Sequence, residues 1–329
     1  MTKILAIGDP HFMISNISET KRYTKKIVSL IKSESPDLVV VLGDVFHTHE
    51  KKHILVEKEV TYFLKQLSDL VTVYLLVGNH DMINSQQFLT TNHAFSAYKY
   101  WDNLVVCDKP LKLVLDDKLF IFTPFTPPGK LFEALDTIDD WRSSKCIFAH
   151  QEIYNCYFNP TTLSEHGDKW NESFPMLISG HIHDEQWVGK NVYYPGSSMQ
   201  HGYSENSEKI VCIATFDEAI IPTIERYDLG MKRKKIVYID IGELNSFKIP
   251  NDETIKLVIK GTPEEIKTVR KRKDYHELVA NTKVSFIPRE FKYDELKSKK
   301  KSVIEILKDL VINEPDNVKQ ALEILLREI

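Results

Sequence analysis

Two stretches of the sequence share one pattern: residues 3–11 read KILAIGDPH and residues 38–47 read LVVVLGDVFH. Each holds an apolar run of four or five residues, followed by glycine, aspartate and a nearby histidine. Similar apolar runs occur at Val71–Val77, Cys146–Ala149 and Met176–Ser179. Short runs rich in Val, Ile and Leu are typical of strands that are buried on both faces. The pattern therefore predicts buried strands that end in polar, chemically capable residues.

Helix-length segments separate the first three of these strands. Glu19–Lys32 and His53–Ser68 carry apolar residues at spacings of three and four, the period of an amphipathic helix. Strand and helix in alternation predict βαβ units in a layered α/β domain. Later segments resemble hairpin strands, at Lys112–Phe122, Asn191–Tyr194, Lys209–Phe216 and Ala219–Tyr227. We therefore expect a mixed sheet or a two-sheet sandwich, and not a purely parallel sheet.

The composition excludes several classes of protein. The chain has 329 residues, 42% hydrophobic and 27% charged, which favours about two folded domains over disorder or a coiled coil. No apolar run approaches the roughly 20 residues of a membrane span, and the N-terminus lacks a signal peptide's long apolar run. The four cysteines have no paired spacing. We therefore expect a cytoplasmic protein (in the host cytoplasm if viral) with reduced thiols at Cys107, Cys146, Cys156 and Cys212.

Charge is distributed unevenly along the chain. The whole sequence has 43 Lys and Arg against 47 Asp and Glu, a net charge of −4. Residues 230–301 contain 19 of the basic and 11 of the acidic residues, a net of +8, so the rest of the chain has a net of −12. A basic segment beside an acidic body indicates contact with a polyanion, and a solvated helix face is the alternative.

Each of the five predicted strands runs into residues that commonly bind metal ions. The candidates are Asp9, His11, Asp44, Asn79, His150, His181 and His183. Ligands of open α/β sheets bind at the carboxyl ends of the strands. A mixed oxygen and nitrogen set suits Mn, Fe or Zn, unlike the all-oxygen sites of Ca²⁺. Because one ion takes about three or four protein ligands, the set predicts two ions that share a carboxylate, an arrangement suited to phosphoryl displacement.

The order of these motifs resembles a known family. Asp-x-His, Gly-Asp-x-Phe-His, Gly-Asn-His-Asp, a lone His and Gly-His-x-His follow one another from Asp9 to His183, and together they look like the calcineurin-like metallophosphoesterase superfamily. The resemblance covers residues 4 to about 200 and implies a four-layered α/β/β/α sandwich. Within the superfamily the chain is most similar to SbcD-type nuclease subunits of DNA double-strand-break repair complexes. Shorter phage versions of these subunits act with an SbcC-type ATPase.

The resemblance implies roles for individual residues. One metal ion would be held by Asp9, His11 and His183, the other by Asn79, His150 and His181, and Asp44 would bridge them. His80 matches the family's catalytic histidine, which stabilises or protonates the departing oxygen. His47 matches a histidine that positions the DNA backbone in the nuclease branch. Asp81 is expected to contact His80 and orient its ring without binding metal itself.

Two of the motifs leave alternatives open. His47 precedes His49 and His53, so a solvated histidine-rich loop is the other interpretation of this stretch. The turn Pro195–Ser198 resembles a family segment near the active site, but Met199-Gln200-His201 replaces the basic residue that often follows it. His93, His166, His201 and His276 lie outside the motifs, and we expect none of them to bind metal.

The second Gly-Asp motif favours a nuclease over other phosphoesterases. Protein phosphatases of the superfamily carry an arginine soon after it, whereas this chain reads Gly-Asp-Val-Phe-His-Thr-His. The resemblance implies 3′-to-5′ exonuclease and endonuclease activity in recombination and double-strand-break processing. It implies two divalent ions, foremost Mn²⁺, with Mg²⁺, Fe²⁺ or Zn²⁺ as alternatives. A phosphomonoesterase or cyclic-nucleotide phosphodiesterase acting on small substrates is the main alternative, and an assembly scaffold is a third.

The remainder of the chain is expected to serve DNA and a partner protein. We predict a phosphoesterase domain at 1–245, a small α+β capping domain at 250–288 that orients DNA, and a helical tail at 290–329. The capping domain is interpreted as strand Thr254–Ile259, helix Pro263–Lys273 with Thr262 as its N-cap, and strand Val284–Ile287. Expected DNA contacts are Lys232, Arg233, Lys234, Lys235, Arg270, Lys271, Arg272 and Lys273.

Two amphipathic helices are predicted in the tail, at about Tyr293–Ile312 and Pro315–Arg327. An apolar stripe on a terminal helix must be buried against something. The tail would therefore bind the ATPase, and the alternative is that it folds back onto its own domain. The family resemblance also implies a homodimer within a heterotetramer, and no membrane partner is expected.

Overall fold

The structure, a computed structural model, describes residues 1–159, 161–250, 253–289, 303–312 and 316–326. In chain order the elements up to residue 228 are β1 (Thr2–Ile7), α1 (Ile17–Glu34), β2 (Leu38–Val41), α2 (Ile54–Ser68), β3 (Val73–Leu76), β4 (Leu104–Cys107), β5 (Leu111–Leu115), β6 (Lys118–Phe122), α3 (Leu131–Leu135), β7 (Cys146–His150), β8 (Tyr157–Asn159), β9 (Thr162–Leu163), β10 (Met176–Gly180), β11 (Gln186–Val188), β12 (Val192–Tyr194), β13 (Ile210–Phe216) and β14 (Thr223–Asp228). They are followed by β15 (Arg233–Asp240), β16 (Glu253–Gly261), α4 (Pro263–Val269), α5 (Lys273–Asn281), β17 (Lys283–Pro288), α6 (Val303–Leu310) and α7 (Asp316–Leu325).

Two six-stranded mixed sheets form the first part of the chain. The first has the order β14-β13-β1-β2-β3-β4, in which β1 to β4 are parallel and β13 runs antiparallel to β1. The second has the order β11-β12-β10-β7-β6-β5, in which β12, β10, β7 and β6 are parallel. The expectation of two mixed sheets is confirmed, and so are the βαβ units β1-α1-β2 and β2-α2-β3.

Side chains that alternate along β1 show why the apolar runs are continuous. Ile4 and Ala6 belong to the core shared with the second sheet, where they meet residues such as Phe120 and Phe148. Leu5 and Ile7 belong to the core under α1 and α2. Successive residues of a strand point to opposite faces, so a strand covered on both sides must be apolar throughout.

Helices cover the outer faces of both sheets. Tyr23, Ile27 and Ile31 of α1 are buried at spacings of three and four, and they pack with Phe63 and Leu67 of α2. A separate core under α3 covers the second sheet and contains the fully buried Trp141. The layers are therefore helix, sheet, sheet and helix, which confirms the predicted four-layered α/β/β/α fold.

The chain divides into two compact units. The first contains Met1–Ile236 and Ile249–Lys256, and the second contains Val237–Lys248 and Leu257–Ile329. The predicted first domain, residues 1–245, overlaps the first unit. The division does not separate residues 257–289 from the predicted tail at 290–329.

The elements after residue 232 include a three-stranded sheet, in the order β15-β16-β17. The expected N-cap of α4 is present: the hydroxyl of Thr262 accepts a hydrogen bond from the backbone N–H of Glu265 at 3.3 Å, and the Glu265 carboxylate accepts one from the N–H of Thr262 at 2.8 Å. The single helix predicted at Pro263–Lys273 is wrong, because α4 ends at Val269 and α5 begins at Lys273. Like charges three and four residues apart repel, and the pairs Arg270/Lys273 and Lys267/Lys271 have these spacings, which disfavours one continuous helix.

Part of the predicted tail lies outside the described residues. Of the helix expected at Tyr293–Ile312, the structure describes α6 and the two residues that follow it, and residues 290–302 are not described. Within the described part of the chain, no helix combines the length and apolar character needed to cross a membrane.

Candidate metal centre

The carboxyl ends of five strands place all seven predicted metal ligands at one edge of the two sheets. From the first sheet come Asp9 and His11 after β1, Asp44 after β2 and Asn79 after β3. From the second sheet come His150, at the end of β7, and His181 and His183 after β10. Five of the seven are buried, and only His181 and His183 are partly exposed. The centre is thus enclosed by protein on most sides and open beside these two histidines.

The backbone at this edge adopts conformations that ordinary residues avoid. Asp9, His11, Asp44 and His181 have φ angles of 39°, 43°, 50° and 81°. Left-handed φ values are uncommon for residues other than glycine, and at functional sites they are maintained by the surrounding structure. Four of the seven predicted ligands are therefore held in strained positions that aim their side chains toward one another.

Glycines allow the ligands to approach closely. A Cβ atom added at Gly78 would lie 2.2 Å from Asp44 Oδ1, and one added at Gly43 would lie 2.6 Å from His150 Nδ1. Gly43 also has a φ of 103°, which L side chains rarely adopt. The glycine before each acidic or amide ligand is therefore required by the packing of the centre.

The first group of ligands is Asp9, His11 and His183, whose ligand atoms lie within 4.8 Å of one another. His11 Nε2 and His183 Nε2 are 3.1 Å apart. Asp9 Oδ1 accepts a hydrogen bond from the backbone N–H of His181 at 2.9 Å. Its other oxygen, Oδ2, is buried and makes no hydrogen bond to any residue that the structure describes. A buried carboxylate oxygen without a donor is costly unless a cation compensates it, so this group fits a metal ion.

The second group contains Asp44, His150 and His181, again within 4.8 Å of one another. His150 Nδ1 donates a hydrogen bond to the carbonyl of Leu42 at 2.7 Å, which leaves its Nε2 facing Asn79 Oδ1 at 3.0 Å and Asp44 Oδ2 at 3.4 Å. His181 Nδ1 lies 2.9 Å from the same Asn79 oxygen. A histidine fixed through one nitrogen by a carbonyl presents the other nitrogen as a metal ligand.

Asp44 lies between the two groups. Its Oδ2 is 3.6 Å from His11 Nε2 and 3.4 Å from His150 Nε2. Its Oδ1 accepts a hydrogen bond from the backbone N–H of His80 at 2.8 Å. The arrangement matches the expectation of two ions that share this carboxylate.

The pKa values reflect a buried, negatively charged centre. Burial would raise the pKa of Asp44, but the nearby His150, His11 and His80 outweigh burial and hold it well below its ordinary value. Burial would lower the pKa of His150, but Asp44 and Asp9 raise it to about 9. Burial raises the pKa of Asp9 to about 6. The field that favours a positive charge on His150 is one that also attracts divalent cations.

His80 and His47 lie at the exposed side of the centre. His80 Nδ1 donates a hydrogen bond to the carbonyl of His47 at 2.7 Å, and its Nε2 is 4.0 Å from Asp44 Oδ2. The rings of His47 and His80 stack, with centroids 5.8 Å apart, and His49 stacks on His80 at 4.5 Å. His80 is therefore held by a carbonyl, with one nitrogen directed toward the metal ligands.

Asp81 is not the partner of His80 that we expected. Its carboxylate accepts hydrogen bonds from the backbone N–H groups of Phe46 and Gly78, each at 3.0 Å. These bonds tie the end of β2 to the end of β3. The sequence could not distinguish a carboxylate that binds a side chain from one that binds backbone N–H groups of its own motif and of the preceding one.

The predicted DNA contacts lie later in the sequence than all of the metal ligands. Lys232 to Lys235 lead into β15, where Arg233 pairs with Asp228 at 3.6 Å and Lys235 pairs with Glu253. Arg270 to Lys273 belong to the second unit, where Arg272 pairs with Asp274. Several of these cations thus have carboxylate partners within the chain.

Two residues that the sequence did not assign to the centre support it. His201 donates a hydrogen bond from Nε2 to the carbonyl of Asp9 at 2.9 Å, and its ring lies 4.7 Å from that of His11. Glu205 Oε1 is 3.8 Å from His183 Nδ1, and its charge helps to raise the pKa of that histidine against the effect of burial. The available signal was the position of His201 directly after the Pro195–Ser198 turn, in place of the family's basic residue.

Comparisons with known proteins agree with this geometry. The family model described as calcineurin-like phosphoesterase matches residues 2–185. The chain is 36% identical to a protein of Invertebrate iridescent virus 6, provisionally named phosphoesterase 244L, over 82% of this chain and 98% of the relative. It is 34% identical to the similarly named 078R of Invertebrate iridescent virus 3, over 84% of this chain and 81% of the relative. The chain therefore belongs to the calcineurin-like phosphoesterase family, and is a hydrolase of phosphoesters with a two-metal site.

Proposed function

We propose that the chain is a metal-dependent DNA nuclease that acts at DNA ends, as a 3′-to-5′ exonuclease and as an endonuclease, in recombination and double-strand-break processing. The placement of His47 is the observation that carries this proposal. Its ring is exposed and lies 5.3 Å from His11, and it does not belong to either group of ligands. A histidine at the open edge of a two-metal site can bind a phosphate next to the scissile one, which a polymer has and a monophosphate lacks.

Open clefts on two sides of the centre support a polymeric substrate. A cleft of about 360 Å³ is lined by residues that include His49, Lys52 and Asp81. A second cleft, of about 690 Å³, is lined by residues that include His181 and His183. The two clefts leave room for nucleotides next to the scissile phosphate, whereas a small phosphoester needs neither cleft.

The ligand set fits two divalent ions, and its mixture of imidazole nitrogens with carboxylate and amide oxygens is compatible with the Mn²⁺ that we propose. Bound ions supply Lewis-acid charge at the phosphoryl oxygens and lower the pKa of water. The chain itself holds the phosphate in place and provides a proton donor. His80, oriented by the carbonyl of His47, can donate a proton from Nε2 to the departing oxygen. Because Nδ1 donates to this carbonyl, Nε2 carries a proton only in the imidazolium form; burial lowers the pKa of His80, partly offset by Asp44, so this form is a stronger acid than an ordinary protonated histidine.

We also propose that the chain acts with an SbcC-type coiled-coil ATPase, as a homodimer within a heterotetramer. Exposed apolar side chains at the described end of the chain support a protein partner there. Leu310, the last residue of α6, is 69% exposed, and Ile312 and Leu325 are also exposed. Apolar side chains on the exposed face of a helix are typical of helices that dock into a groove.

Nuclease assays with active-site variants test the proposed function. Wild type, Asp9→Asn and His80→Ser are incubated with Mn²⁺ and duplex DNA, and separately with small phosphomonoesters and cyclic nucleotides. Asp69→Asn and His276→Ser, which alter exposed residues of the same types, are the matched controls. We expect DNA hydrolysis by wild type and both controls, and losses of at least about 100-fold in the two active-site variants.

Activity restricted to small phosphoesters would overturn the nuclease proposal in favour of the small-substrate alternative. If no substrate is hydrolysed with Mn²⁺, even with the ATPase present, the assembly scaffold is the one remaining interpretation. Equal activity of Asp9→Asn and wild type would contradict the assigned metal centre.

A further inference from the structure

The cleft beside His181 and His183 has walls of two different kinds. One wall is the aromatic ring of Phe158 with the neighbouring amide of Asn159. The rest of the lining includes the polar residues Asp184, Glu205 and Asn206. Its volume of about 690 Å³ and its position next to two metal ligands make it a subsite of the centre.

Phe158 projects into this cleft from a small hairpin, β8–β9. Its ring is 41% exposed and lies 6.5 Å from that of His181, at an angle of 75°. Contact of an exposed phenyl ring with water is unfavourable. A flat apolar surface that stacks on the ring would remove this contact and bind favourably.

Gln186 fixes the position of the hairpin. Its Oε1 accepts a hydrogen bond from the backbone N–H of Tyr157 at 2.7 Å, and its Nε2 donates one to the Tyr157 carbonyl at 2.8 Å. Gln186 begins β11, which belongs to the second sheet together with the strand that carries His181. The ring of Phe158 is therefore positioned relative to the metal ligands before any substrate binds.

The charged side chains of the cleft do not form a phosphate site. Asp184 and Glu205 contribute two carboxylates, and Lys209 contributes one ammonium, 3.5 Å from Asp184 and 3.9 Å from Glu205. Lys209 Nζ also donates to the carbonyl of His183, at 2.7 Å, and its side chain is nearly buried. These carboxylates pair with Lys209, so the cleft has no free ammonium or guanidinium group among the lining residues that the structure describes to bind a phosphate, and an uncharged part of a nucleotide suits it better.

We propose that this cleft receives the unpaired nucleobase next to the scissile phosphate, which stacks on Phe158 while its polar edge meets the amides of Asn159 and Asn206. This inference rests on the proposed nuclease function and narrows its substrate to DNA strands that are single or frayed at the cleavage point. Stacking on an aromatic ring is available to every base, so the subsite does not select a sequence. A base that is paired in a duplex cannot enter, since both of its faces are stacked.

Binding without catalysis gives the first test. A single-stranded oligonucleotide with 2-aminopurine at its 3′ end is titrated with the full-length protein in Ca²⁺, and quenching of fluorescence reports stacking. We expect quenching with wild type and Phe158→Trp, and a loss of most of the quenching with Phe158→Ala. Tyr100→Ala, which removes another exposed ring of the first unit, is the matched control and should behave as wild type.

Cleavage of a modified strand gives the second test. Wild type in Mn²⁺ is compared on single-stranded DNA with a normal base or an abasic site next to the scissile phosphate. We expect the abasic site to reduce kcat/KM about tenfold for wild type, and to have no effect for Phe158→Ala, which is already reduced to the same degree. The melting temperature of Phe158→Ala should equal that of wild type, because the ring is exposed.

The outcomes distinguish the two proposals. If wild type cleaves DNA and Phe158→Ala is equally active and equally quenching, the base subsite is overturned and the nuclease function stands. If 2-aminopurine is quenched by wild type but no DNA is cleaved, the nuclease function is overturned and the base subsite is supported. If wild type neither binds nor cleaves single-stranded DNA, both are overturned.

Discussion

At the scale of single residues, Asp44 is the member of the centre that contacts both groups of ligands and His80. One oxygen faces ligands of both groups, the other accepts the N–H of His80, and the backbone is held at a φ of 50°. Gly78 makes this possible, because any side chain there would occupy the space of the Asp44 carboxylate. The bridging position of Asp44 therefore depends on Gly78, which has no side chain and is not a metal ligand.

Substitution of Gly78 tests this dependence. We expect Gly78→Ala to lower the free energy of unfolding by about 1–3 kcal/mol, because the added methyl group overlaps Asp44 Oδ1. Binding of Mn²⁺, followed by isothermal calorimetry, should weaken as well. Gly242→Ala is the matched control, since a Cβ there meets no atom within 4 Å among the described residues, and it should leave both quantities unchanged. Unchanged metal binding in Gly78→Ala would contradict the close approach.

The limits of sequence-based prediction also appear at this scale. The seven metal ligands could be predicted because each follows an apolar run that had to be a buried strand. Glu205 could not, because its proximity to His183 arises from how the chain folds back after β12, and His201 had only one sequence signal, its position after the Pro195–Ser198 turn. Asp81 was misassigned for a related reason: its partners are backbone N–H groups, which have no sequence signature.

At the scale of elements, the centre joins two sheets that are otherwise held by apolar packing. Each group of ligands takes residues from both sheets, with Asp9 and Asp44 from the first and His183 and His150 from the second. The burial of two carboxylates at this junction is unfavourable unless positive charge accompanies them. Metal binding should therefore stabilise the contact between the sheet ends.

Removal of the metal ions tests this expectation. A chelator should lower the melting temperature, and Mn²⁺ at about 100 times its Kd should restore about 2.7 kcal/mol of stability. Hydrogen exchange should be accelerated most in the backbone N–H groups that follow β1, β2 and β10. In Asp9→Asn, Mn²⁺ should raise the melting temperature less than in wild type. Chelation without any change in melting temperature would contradict a role of the ions in joining the sheets.

The helices at the end of the chain lead to a prediction about the partner. Leu310→Glu places a charge on the exposed apolar surface of α6, and we expect it to weaken binding of the ATPase at least tenfold, as measured by calorimetry or surface plasmon resonance. Truncation after Pro288 should abolish binding. Ile220→Glu, at an equally exposed apolar residue of the first unit, is the control. Full affinity in the truncated protein would contradict docking through this segment.

Helices and strands could be predicted where their packing in the fold agrees with the hydrophobic pattern of the local sequence. The strands β1, β2, β3, β7 and β10 lie within one or two residues of their predicted bounds, because burial on both faces gives a continuous apolar run. The helix α5 was missed, because the helix predicted at Pro263–Lys273 counted the cations Arg270–Lys273 as its last turn, whereas the chain breaks there and a second helix begins. The hairpin β8–β9 was missed because its exposed side chains, which include Tyr157 and Phe158, do not follow a core pattern.

At the scale of the whole molecule, the uneven charge predicts how DNA binding depends on salt. The acidic body, residues 1–229 with a net charge of −9, contains the carboxylates of the metal centre, and the segment 230–301 has a net charge of +8. Cations that contact DNA phosphates release counterions on binding. We expect Lys232→Gln and Lys271→Gln each to reduce the slope of log K against log salt by about 1. Lys25→Gln, on α1 of the acidic body, should leave the slope unchanged, and slopes equal to wild type in all three variants would contradict a DNA-binding role of the basic segment.

The origin of the metal ligands in both sheets also has a consequence during protein synthesis. A chain growing from its N-terminus contains Asp9, His11, Asp44, Asn79 and His150 well before His181 and His183. Each group of ligands stays incomplete until one of these last two histidines has left the ribosome, and Glu205 follows later still. The metal centre therefore becomes complete only late in synthesis, after most of the two sheets has been made, and phosphoester hydrolysis cannot begin before then.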